Sequence, residues 1–494
     1  MVPQFGGVAR SKREALVTNA LLSGTIPDMR TLLILGIVCG SMSHAPAGEL
    51  EGGVAAVDIT PTKWPLHLRG SFRPQLATSA HDPLMSRALV LGDGETRLAL
   101  VVVDSCMVDR DLLDRAKARA AKASGIPADK MLISSTHTHS APFANASNGT
   151  PEELAYQAQL ENGIASSIVV AAMSPQAVSV ATGGSPLSEE VFNRRWFLEE
   201  GTMPTNPFGE TTDKVKMNPG SKHLVKPAGP TDPEVSVLAV KDRRGKPLSL
   251  YANYSLHYVG NTGGEVSADY FGEFASLIRT RLRASESFVG MLSNGTSGDI
   301  NNINFRRRRP PRQPFEQIKV VASKTADAAY RALEGVDYQK RLDLGMVERE
   351  LTLRVRVPTE AQIAHARDVL RREEVGEKIV PGLAPIYARR MMSQAKLGAM
   401  LKVPVQAVRI GDLAICAIPF ETLVEIGLEL KERSPFADAF TVSLANGGFG
   451  YLPTPKQHSY GGYETWLCTN KVEKESSEII VKNLLEMLAE LKGE

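Results

Sequence analysis

The residue types and spacing best suited to chemistry lie in the segment Ser135–Ser140, which reads Ser-Thr-His-Thr-His-Ser directly after an apolar run. On extended backbone, the side chains of His137 and His139 would point the same way. At a strand end, such a pair can offer one imidazole to a metal ion and the other to a substrate or a partner. A polar pair held by hydrogen bonds has the same pattern, so the segment alone does not decide between a metal site and a structural role.

Further candidate residues occur singly along the chain. His257 ends an apolar, strand-like run, where an unpaired histidine can also be structural. Glu421 follows another apolar run and is predicted to begin a helix, where the helix macrodipole favours a carboxylate in any case. Tyr451 and Tyr463 follow glycine-rich stretches, and either could be an ordinary half-buried aromatic residue. Each of these residues needs an independent reason to be placed in a site.

The elements that would position these residues alternate between strand and helix patterns. Apolar runs predict strands at Val54–Ile59, Ala88–Leu91, Leu98–Val103, Met131–Ser134, Val235–Val240, Leu248–Tyr254 and Leu344–Arg356, and a hairpin around Gly411-Asp412 within Val405–Ile418. Helical spacing predicts helices at Leu112–Ser124, Glu152–Met173, Gly272–Leu282, Phe315–Leu333, Gln362–Glu374, Thr422–Glu432 and Ser477–Leu491. This order predicts an α/β fold with mixed α+β layers.

The domain organisation follows from the absence of linkers in the sequence. No Pro/Gly/Ser-rich stretch divides residues 52–494, and no repeat of 20–50 residues occurs there. We therefore expect one large catalytic domain over 52–494. The polar, irregular stretch Glu199–Pro230 is predicted to be a long loop beside the site, because loops of that length are usually functional.

The segment Thr136–Ser140 resembles the Thr-His-Thr-His-Ser motif of the neutral/alkaline, non-lysosomal ceramidases. Other short motifs resemble that family's N-terminal catalytic domain in the same order: Val57–Thr60, Asn193-Arg194, Asp232–Glu234, His257, Pro419–Glu421, Gly450-Tyr451 and Tyr463-Glu464. Phe420 and Thr465 stand where the family motifs have glycine. The resemblance runs from about residue 54 to about residue 466, and the ordered set is more specific than any one motif.

The resemblance implies a zinc ion held by His137, His257, Glu421 and Tyr451. Imidazole and carboxylate ligands suit Zn²⁺, and a catalytic zinc site keeps one position open for water. Zinc would lower the pKa of that water toward about 7 and polarise an amide carbonyl. The choice of His137 over His139 as the ligand rests on the resemblance.

The resemblance also implies three residues that face the substrate, namely His139, Arg194 and Tyr463. A histidine with an ordinary pKa of about 6.5 can carry a proton or donate a hydrogen bond. Arg194 and Tyr463 could stabilise the oxyanion that forms on the carbonyl.

One departure from the family lies at Gly298-Asp299-Ile300-Asn301. The resemblance implies catalytic roles for Asp299, which matches the family motif, and for Asn301, which stands where the family has a serine at the reaction centre. An amide cannot act as a nucleophile or release a proton as a hydroxyl does, although it can donate a hydrogen bond to an oxyanion. Hydroxyl groups that could substitute lie just upstream, at Ser293, Thr296 and Ser297. Either water on zinc attacks a different amide or ester, or the chain binds without cleaving; the filled ligand positions favour the first.

The two ends of the chain lead to separate predictions. Met29-Arg30, the apolar run Leu32–Val38 and Ala45–Ala47 are typical of a signal peptide, so we expect a signal at 29–47, residues 1–28 as a gene-start artefact, and export to the periplasm or medium. A short core segment is the alternative for Leu32–Val38. Full-length ceramidases of this type carry a C-terminal β-sandwich domain, and we expect none here, which weakens the case for a bilayer substrate.

Composition excludes several classes of protein. A hydrophobic fraction of 43%, a charged fraction of 23% and a net charge of +2 predict an ordinary globular protein without nucleic-acid binding. No apolar run approaches the roughly 20 residues of a transmembrane helix.

The run Arg306–Arg312 could attract an anionic substrate or form a solvated loop paired with carboxylates. One disulfide among Cys106, Cys416 and Cys468 is compatible with the sequence, which does not give the oligomeric state.

Three functions fit these observations. The leading one is an exported, zinc-dependent hydrolase that acts on a linear amide bond of ceramide or another small amphipathic N-acyl substrate, with peripheral lipid contact. The second is a metal-dependent esterase or sugar-conjugate hydrolase on the same scaffold. The third is a catalytically degenerate protein that binds a lipid or glycan.

Overall fold

A computed structural model of the protein describes residues 48–72, 75–145, 149–307 and 309–493. The predicted signal peptide at 29–47 and the preceding 28 residues lie outside these ranges. Within them, the chain alternates between strands and helices, as the sequence predicts.

The strands run in chain order as β1 (Glu51–Asp58), β2 (Leu66–Leu68), β3 (Gln75–Ala77), β4 (Met85–Gly92), β5 (Arg97–Val103), β6 (Met131–Ser135), β7 (Gln176–Pro186), β8 (Phe192–Asn193), β9 (Arg195–Leu198), β10 (Val215–Met217), β11 (Leu224–Pro227), β12 (Glu234–Asp242), β13 (Pro247–Tyr254), β14 (Val289–Asn294), β15 (Ile300–Asn301), β16 (Leu344–Arg354), β17 (Met400–Ile410), β18 (Leu413–Ile418), β19 (Glu421–Thr422), β20 (Asp438–Ser443) and β21 (Tyr451–Leu452). The α-helices are α1 (Arg110–Ser124), α2 (Pro151–Ala172), α3 (Asp269–Arg281), α4 (Glu316–Arg331), α5 (Glu360–Glu374), α6 (Ala384–Gln394), α7 (Val424–Arg433), α8 (Pro455–His458) and α9 (Ser476–Lys492).

The largest sheet has the order β14-β13-β12-β7-β1-β4-β5-β6. Its two edge pairs, β5 with β6 and β13 with β14, are parallel, whereas the inner pairs are antiparallel. Both faces are covered, so β5 is apolar almost throughout and only its first residue is exposed. The carboxyl ends of both parallel pairs lead into the polar segments that carry the candidate residues.

A second sheet, with the order β16-β17-β18-β20, packs against the first. The core between the two sheets contains side chains from both, including Leu100 and Val102 of β5 and Ile415 of β18. Alternate residues of β5, such as Val101, point to the opposite face and pack against α1 and α2.

Helices cover the two outer faces. The helices α3 and α4 pack on the β12–β14 part of the large sheet, and α7 and α9 pack on the outer face of the four-stranded sheet. The described residues therefore form helix, sheet, sheet and helix layers, and the mixed α/β fold class predicted from the sequence is confirmed.

Two local predictions need correction. The stretch Glu199–Pro230 is irregular only in part, because β10 and β11 within it pair with β9 in a three-stranded sheet. Glu421 does not begin a helix; it lies in β19, and α7 begins at Val424. Strands of two or three residues are too short to show alternation in the sequence. Their pairing partners also lie far away along the chain. The hairpin at Gly411-Asp412 is confirmed by the pairing of β17 with β18.

Neither a membrane-spanning helix nor a disulfide bond occurs among the described residues. None of their helices is both long enough and apolar enough to span a bilayer. Cys106, Cys416 and Cys468 are free, so the disulfide that the sequence permitted does not form among them.

Candidate metal centre

The first candidate ligand lies in a turn that follows β6. His137 has a φ of 69°, so the expectation that the His-x-His segment is extended is wrong. Its backbone N–H donates to the carbonyl of Ser105 (2.8 Å), which fixes the turn beside the end of β5. The turn still brings Nε2 of His139 to 3.2 Å from Nε2 of His137.

The second candidate ligand follows β13, at the other parallel pair of the large sheet. Nδ1 of His257 lies 2.9 Å from the carbonyl oxygen of Ser297, and Nδ1 of His137 lies 2.8 Å from that of Cys106. A carbonyl oxygen only accepts, so each Nδ1 carries the ring proton and each Nε2 presents a lone pair. The two Nε2 atoms are 3.1 Å apart, and two facing lone pairs at this distance require a cation or a proton nearby.

Glu421 and Tyr451 are placed together by β-pairing. They are direct partners in the parallel pair of β19 with β21. Oε2 of Glu421 lies 3.2 Å from Nε2 of His137, and both side chains are buried. Burial raises the pKa of the Glu421 carboxyl, but the charge on His137 outweighs this effect and the pKa falls below its ordinary value.

The surroundings of His137 favour a positive charge at its Nε2, which either a proton or a metal ion can supply. Burial alone would lower the pKa of this imidazole, but the nearby Cys106 thiol and the Glu421 carboxylate raise it to about 10. His137, His257 and Glu421 form a buried group whose ligand atoms lie within 4.8 Å of one another; we call it the His–Glu group. Ligands of a tetrahedral zinc ion are about 3.3 Å apart, close to the spacings of 3.1 and 3.2 Å seen here. The His–Glu group could therefore hold a metal ion.

Arg194 connects this group to its surroundings. Only 5% of the residue is exposed, and its Nη2 donates to the Tyr451 hydroxyl (2.9 Å) and to the carbonyl of Gly298 (2.7 Å). Its Nε donates to Oε1 of Glu464 (3.0 Å), and its Nη1 lies 3.4 Å from Nε2 of His257. Arg194 is thus fixed next to the atoms that would bind a metal.

Two cavities reach the centre. The first, of about 560 Å³, is lined by His137, His139, Glu421, Tyr451 and Tyr463; we call it the Tyr463 cavity. The second, of about 720 Å³, is lined by Arg194, His257 and Asn301 among others; we call it the Asn301 cavity. The predicted site residues are thus divided between two openings.

His139 borders the first of these openings in a neutral state. Burial lowers the pKa of its imidazole well below the ordinary value, and the charges on His137 and Arg194 lower it further. Its ring stacks on that of Tyr258 with centroids 3.6 Å apart. Gly70 has a φ of +108°, and a Cβ there would lie 2.3 Å from Cγ of His139, so glycine is required beside this ring.

Asn301 lines its cavity but both ends of its amide are engaged. Nδ2 donates to Oδ1 of Asn218 (2.7 Å), and Oδ1 accepts from the backbone N–H of Ile303 (3.0 Å). The upstream hydroxyls bond elsewhere. Ser293 donates to the carbonyl of Ala252, Thr296 lies 3.3 Å from Oγ of Ser255, and Ser297 lies 3.4 Å from Nδ1 of His257, away from its Nε2.

Asp299 lines neither the Tyr463 cavity nor the Asn301 cavity. It is fully buried, and its carboxylate accepts from the backbone N–H of Val424 (2.9 Å) and from Nδ2 of Asn193 (2.8 Å). Burial raises the pKa of this carboxyl to about 6. These contacts fix the start of α7 and the strand β8, so the geometry makes Asp299 a positioning residue.

The arginine run shows features of both interpretations of its sequence. Arg309 pairs with Glu190 (3.2 Å), and it lines the Asn301 cavity together with Arg307 and Arg312.

Cys106 is a residue that the sequence reasoning missed. Its Sγ lies 3.7 Å from Nδ1 of His137, and its position just after β5, the neighbour of β6, is the signal that could have indicated it.

Comparisons with known proteins agree with this fold. No protein-family model matches the chain. An alignment of 288 positions, which covers 55% of this chain and 38% of the relative's length, is 24% identical to the neutral ceramidase of Drosophila pseudoobscura pseudoobscura. The structure matches that of neutral ceramidase from Pseudomonas aeruginosa with a TM-score of 0.67, at 18% identity over 90% of this chain and 75% of the other. A ceramidase complexed with C2 matches with the same TM-score and coverage at 16% identity. The chain is a distant relative of the neutral ceramidases in sequence and has the fold of their catalytic domain.

Proposed function

We propose that the protein is an exported, zinc-dependent hydrolase that cleaves a linear amide C–N bond in a small amphipathic, N-acyl substrate. The observation that carries the proposal is the convergence of two Nε2 lone pairs and the Glu421 carboxylate at one buried point. Nitrogen and oxygen donors of this kind suit zinc. When bound, zinc lowers the pKa of a ligated water and polarises a carbonyl.

His137, His257, Glu421 and Tyr451 would hold the ion. The carbonyls of Cys106 and Ser297 fix the orientation and tautomer of the two imidazoles, which is the usual role of partners behind metal ligands. Tyr451 is turned toward the same point by its pairing with Glu421.

The remaining residues would bind and polarise the substrate. Arg194 is a fixed cation next to His257, and a fixed donor in a buried site stabilises a developing oxyanion without reorganisation. Burial raises the pKa of the Tyr463 hydroxyl, which stays protonated and can donate to the same oxygen. His139 stays neutral, so its imidazole would position the substrate through a hydrogen bond.

A binding protein without turnover is the second candidate. Asn301 replaces the serine that the family has at the reaction centre, both ends of its amide are engaged, and the three upstream hydroxyls face away from the Nε2 atoms. An esterase or sugar-conjugate hydrolase would use the same groups, because a carbonyl is polarised in the same way in either class. Products decide between amide and ester cleavage, since the first releases an amine and the second an alcohol.

Zinc content tests the proposal directly. We expect near-stoichiometric zinc in the purified protein by elemental analysis, and little in His257→Ala. His365→Ala, an exposed histidine on α5, should leave the zinc unchanged. Absence of zinc from every form would exclude the metallohydrolase. Zinc without release of amine from N-acyl substrates would favour the binding protein.

Export rests on the sequence pattern at 29–47. Expression of the full gene should yield a periplasmic or secreted protein whose N-terminus begins near Gly48. A cytoplasmic protein that retains Met29 would contradict this part of the proposal.

A further inference from the structure

The Tyr463 cavity carries positive charge in addition to the His–Glu group. Arg69, Arg390 and Lys471 line it together with Phe72. None of the three cations forms an ion pair with a carboxylate of the described residues. Unpaired cations around a cavity with low-dielectric walls create a positive potential inside it.

The two arginines are held by aromatic and sulfur contacts. The Arg390 guanidinium lies 5.5 Å from the Phe72 ring centroid and 5.3 Å from that of Tyr387. The Arg69 guanidinium lies 5.1 Å from the ring of Phe143, and its Nη2 lies 3.1 Å from a methionine sulfur. Ring faces fix the position of a guanidinium without neutralising its charge. The hydrogen-bonding edges therefore remain available to a ligand.

Lys471 brings the charge close to the metal ligands. Its Cε lies 3.9 Å from where a Cβ on Gly450 would stand, directly before Tyr451. Burial lowers the pKa of this ammonium group and the charge on Arg69 lowers it further, whereas the carboxylate of Asp109 raises it. An ammonium group in this position is incompletely compensated by the protein.

The remaining charges of the Tyr463 cavity are compensated. Arg389, which also lines this cavity, pairs with Glu373 (2.6 Å). Of the residues lining the cavity, Glu421 is the carboxylate, and it is engaged with His137. Within the Tyr463 cavity, the uncompensated charge is therefore concentrated around Arg69, Arg390 and Lys471.

We propose that the Tyr463 cavity binds an anionic group of the substrate, so that the natural substrate is an amide bearing a carboxylate, sulfonate or phosphate. Arg69, Arg390 and Lys471 form the anion subsite, and the scissile carbonyl lies toward His137 and Tyr451. This inference rests on the proposed amide hydrolysis, which it extends by naming the substrate class. An uncharged ceramide would leave the three cations unpaired.

A matched pair of substrates tests the subsite. N-dodecanoylglycine and N-dodecanoylglycinamide have nearly the same shape, but only the first carries a carboxylate. We expect kcat/KM to be at least about tenfold higher for the acid, the size expected for one charge-assisted contact. Lys471→Gln and Arg390→Gln should each abolish most of this preference. Lys471→Arg should retain it, and Lys482→Gln, an exposed lysine on α9, should have no effect.

Calorimetric titration of the holoprotein separates this inference from the proposed function. If no amide is hydrolysed but the acid binds about tenfold more tightly than the amide, with the preference lost in Lys471→Gln, the anion subsite stands and the hydrolase proposal fails. If both compounds are cleaved and bound equally, the subsite is overturned and the hydrolase remains. Thermal unfolding identifies any variant that fails to fold, and Arg390→Gln then decides the outcome.

Discussion

The two histidines of the His–Glu group and the Asn301 segment (residues 298–302) lie at the same centre on different kinds of structure. The histidines follow strands of the large buried sheet, and their ring orientations are set by backbone carbonyls. Asn301 lies in the two-residue strand β15, which pairs only with β8. The first region contains three of the four residues that the family resemblance implies as metal ligands, whereas the second has asparagine where that resemblance implies serine.

This difference indicates that metal binding and substrate chemistry are carried by separable elements. Moving a ligand at the end of a buried strand would disturb both sheets, because their packed interiors resist displacement. A side chain on a two-residue strand such as β15 can change at a smaller structural cost, because fewer strand pairings depend on it. The substrate side of the centre is therefore where we expect this chain to differ functionally from its distant relatives.

The largest expected effect comes from removing charge in the His–Glu group. Glu421→Gln keeps the side chain's shape but removes the negative charge beside His137. We expect zinc affinity to fall at least about a hundredfold, since even partners behind the ligands contribute up to that factor. Competition with a chelator measures the affinity. Glu432→Gln, an exposed residue at the end of α7, is the matched control, and equal affinities in the two variants would contradict the ligand role.

Arg194→Lys should separate the two regions. A lysine cannot contact Glu464, Gly298 and Tyr451 simultaneously as the guanidinium does. We expect kcat to fall about a hundredfold through loss of a fixed oxyanion donor, with zinc content retained. Turnover and elemental analysis are measured on the same preparation. A loss of zinc proportional to the loss of activity would show instead that Arg194 acts by holding Tyr451 as a ligand.

Asp299 gives a smaller, pH-dependent effect in the Asn301 segment. Its pKa is about 6 in the folded protein, above the roughly 3.9 of an unfolded chain, so the folded state binds more protons between these values. Its contribution to stability is fully present below about pH 4 and is lost as the pH rises through about 6. The loss is on the order of 2–3 kcal/mol.

Urea unfolding at a series of pH values checks this. The difference in unfolding free energy between wild type and Asp299→Asn should change between about pH 4 and pH 6 and then stay constant. Asp111→Asn, an exposed carboxyl in the first turn of α1, should show no comparable change. A difference curve for Asp299→Asn that is flat throughout would mean that the pKa is not raised.

Much of the framework could be predicted from the sequence. Strands buried on both faces, such as β5, are continuous apolar runs, and Gly411-Asp412 marks a hairpin with a local signal. The His-x-His motif could be located, but its backbone could not, because the left-handed φ of His137 is imposed by the carbonyl of Ser105 in a neighbouring segment.

Features that depend on distant pairing could not be predicted. Glu421 and Tyr451 meet through strands of two residues each, and two residues carry no periodicity. The cations of the Tyr463 cavity come from three separate segments, each of which resembles an ordinary charged surface in the sequence. Only the packed fold brings Arg69, Arg390 and Lys471 around one cavity.

The smallest expected effect comes from Asn301→Ser, which restores the family's residue. Serine is too short to reach Asn218 as the amide does, so we expect the unfolding free energy to fall by about 1 kcal/mol. Because the neighbouring segment is shaped around an amide, kcat on N-acyl substrates should change by less than about tenfold. Asn304→Ser, on the same loop but outside β15, is the control. A gain of a hundredfold or more would show that Asn301 had silenced a serine-dependent enzyme, and the two regions would then be coupled rather than separable.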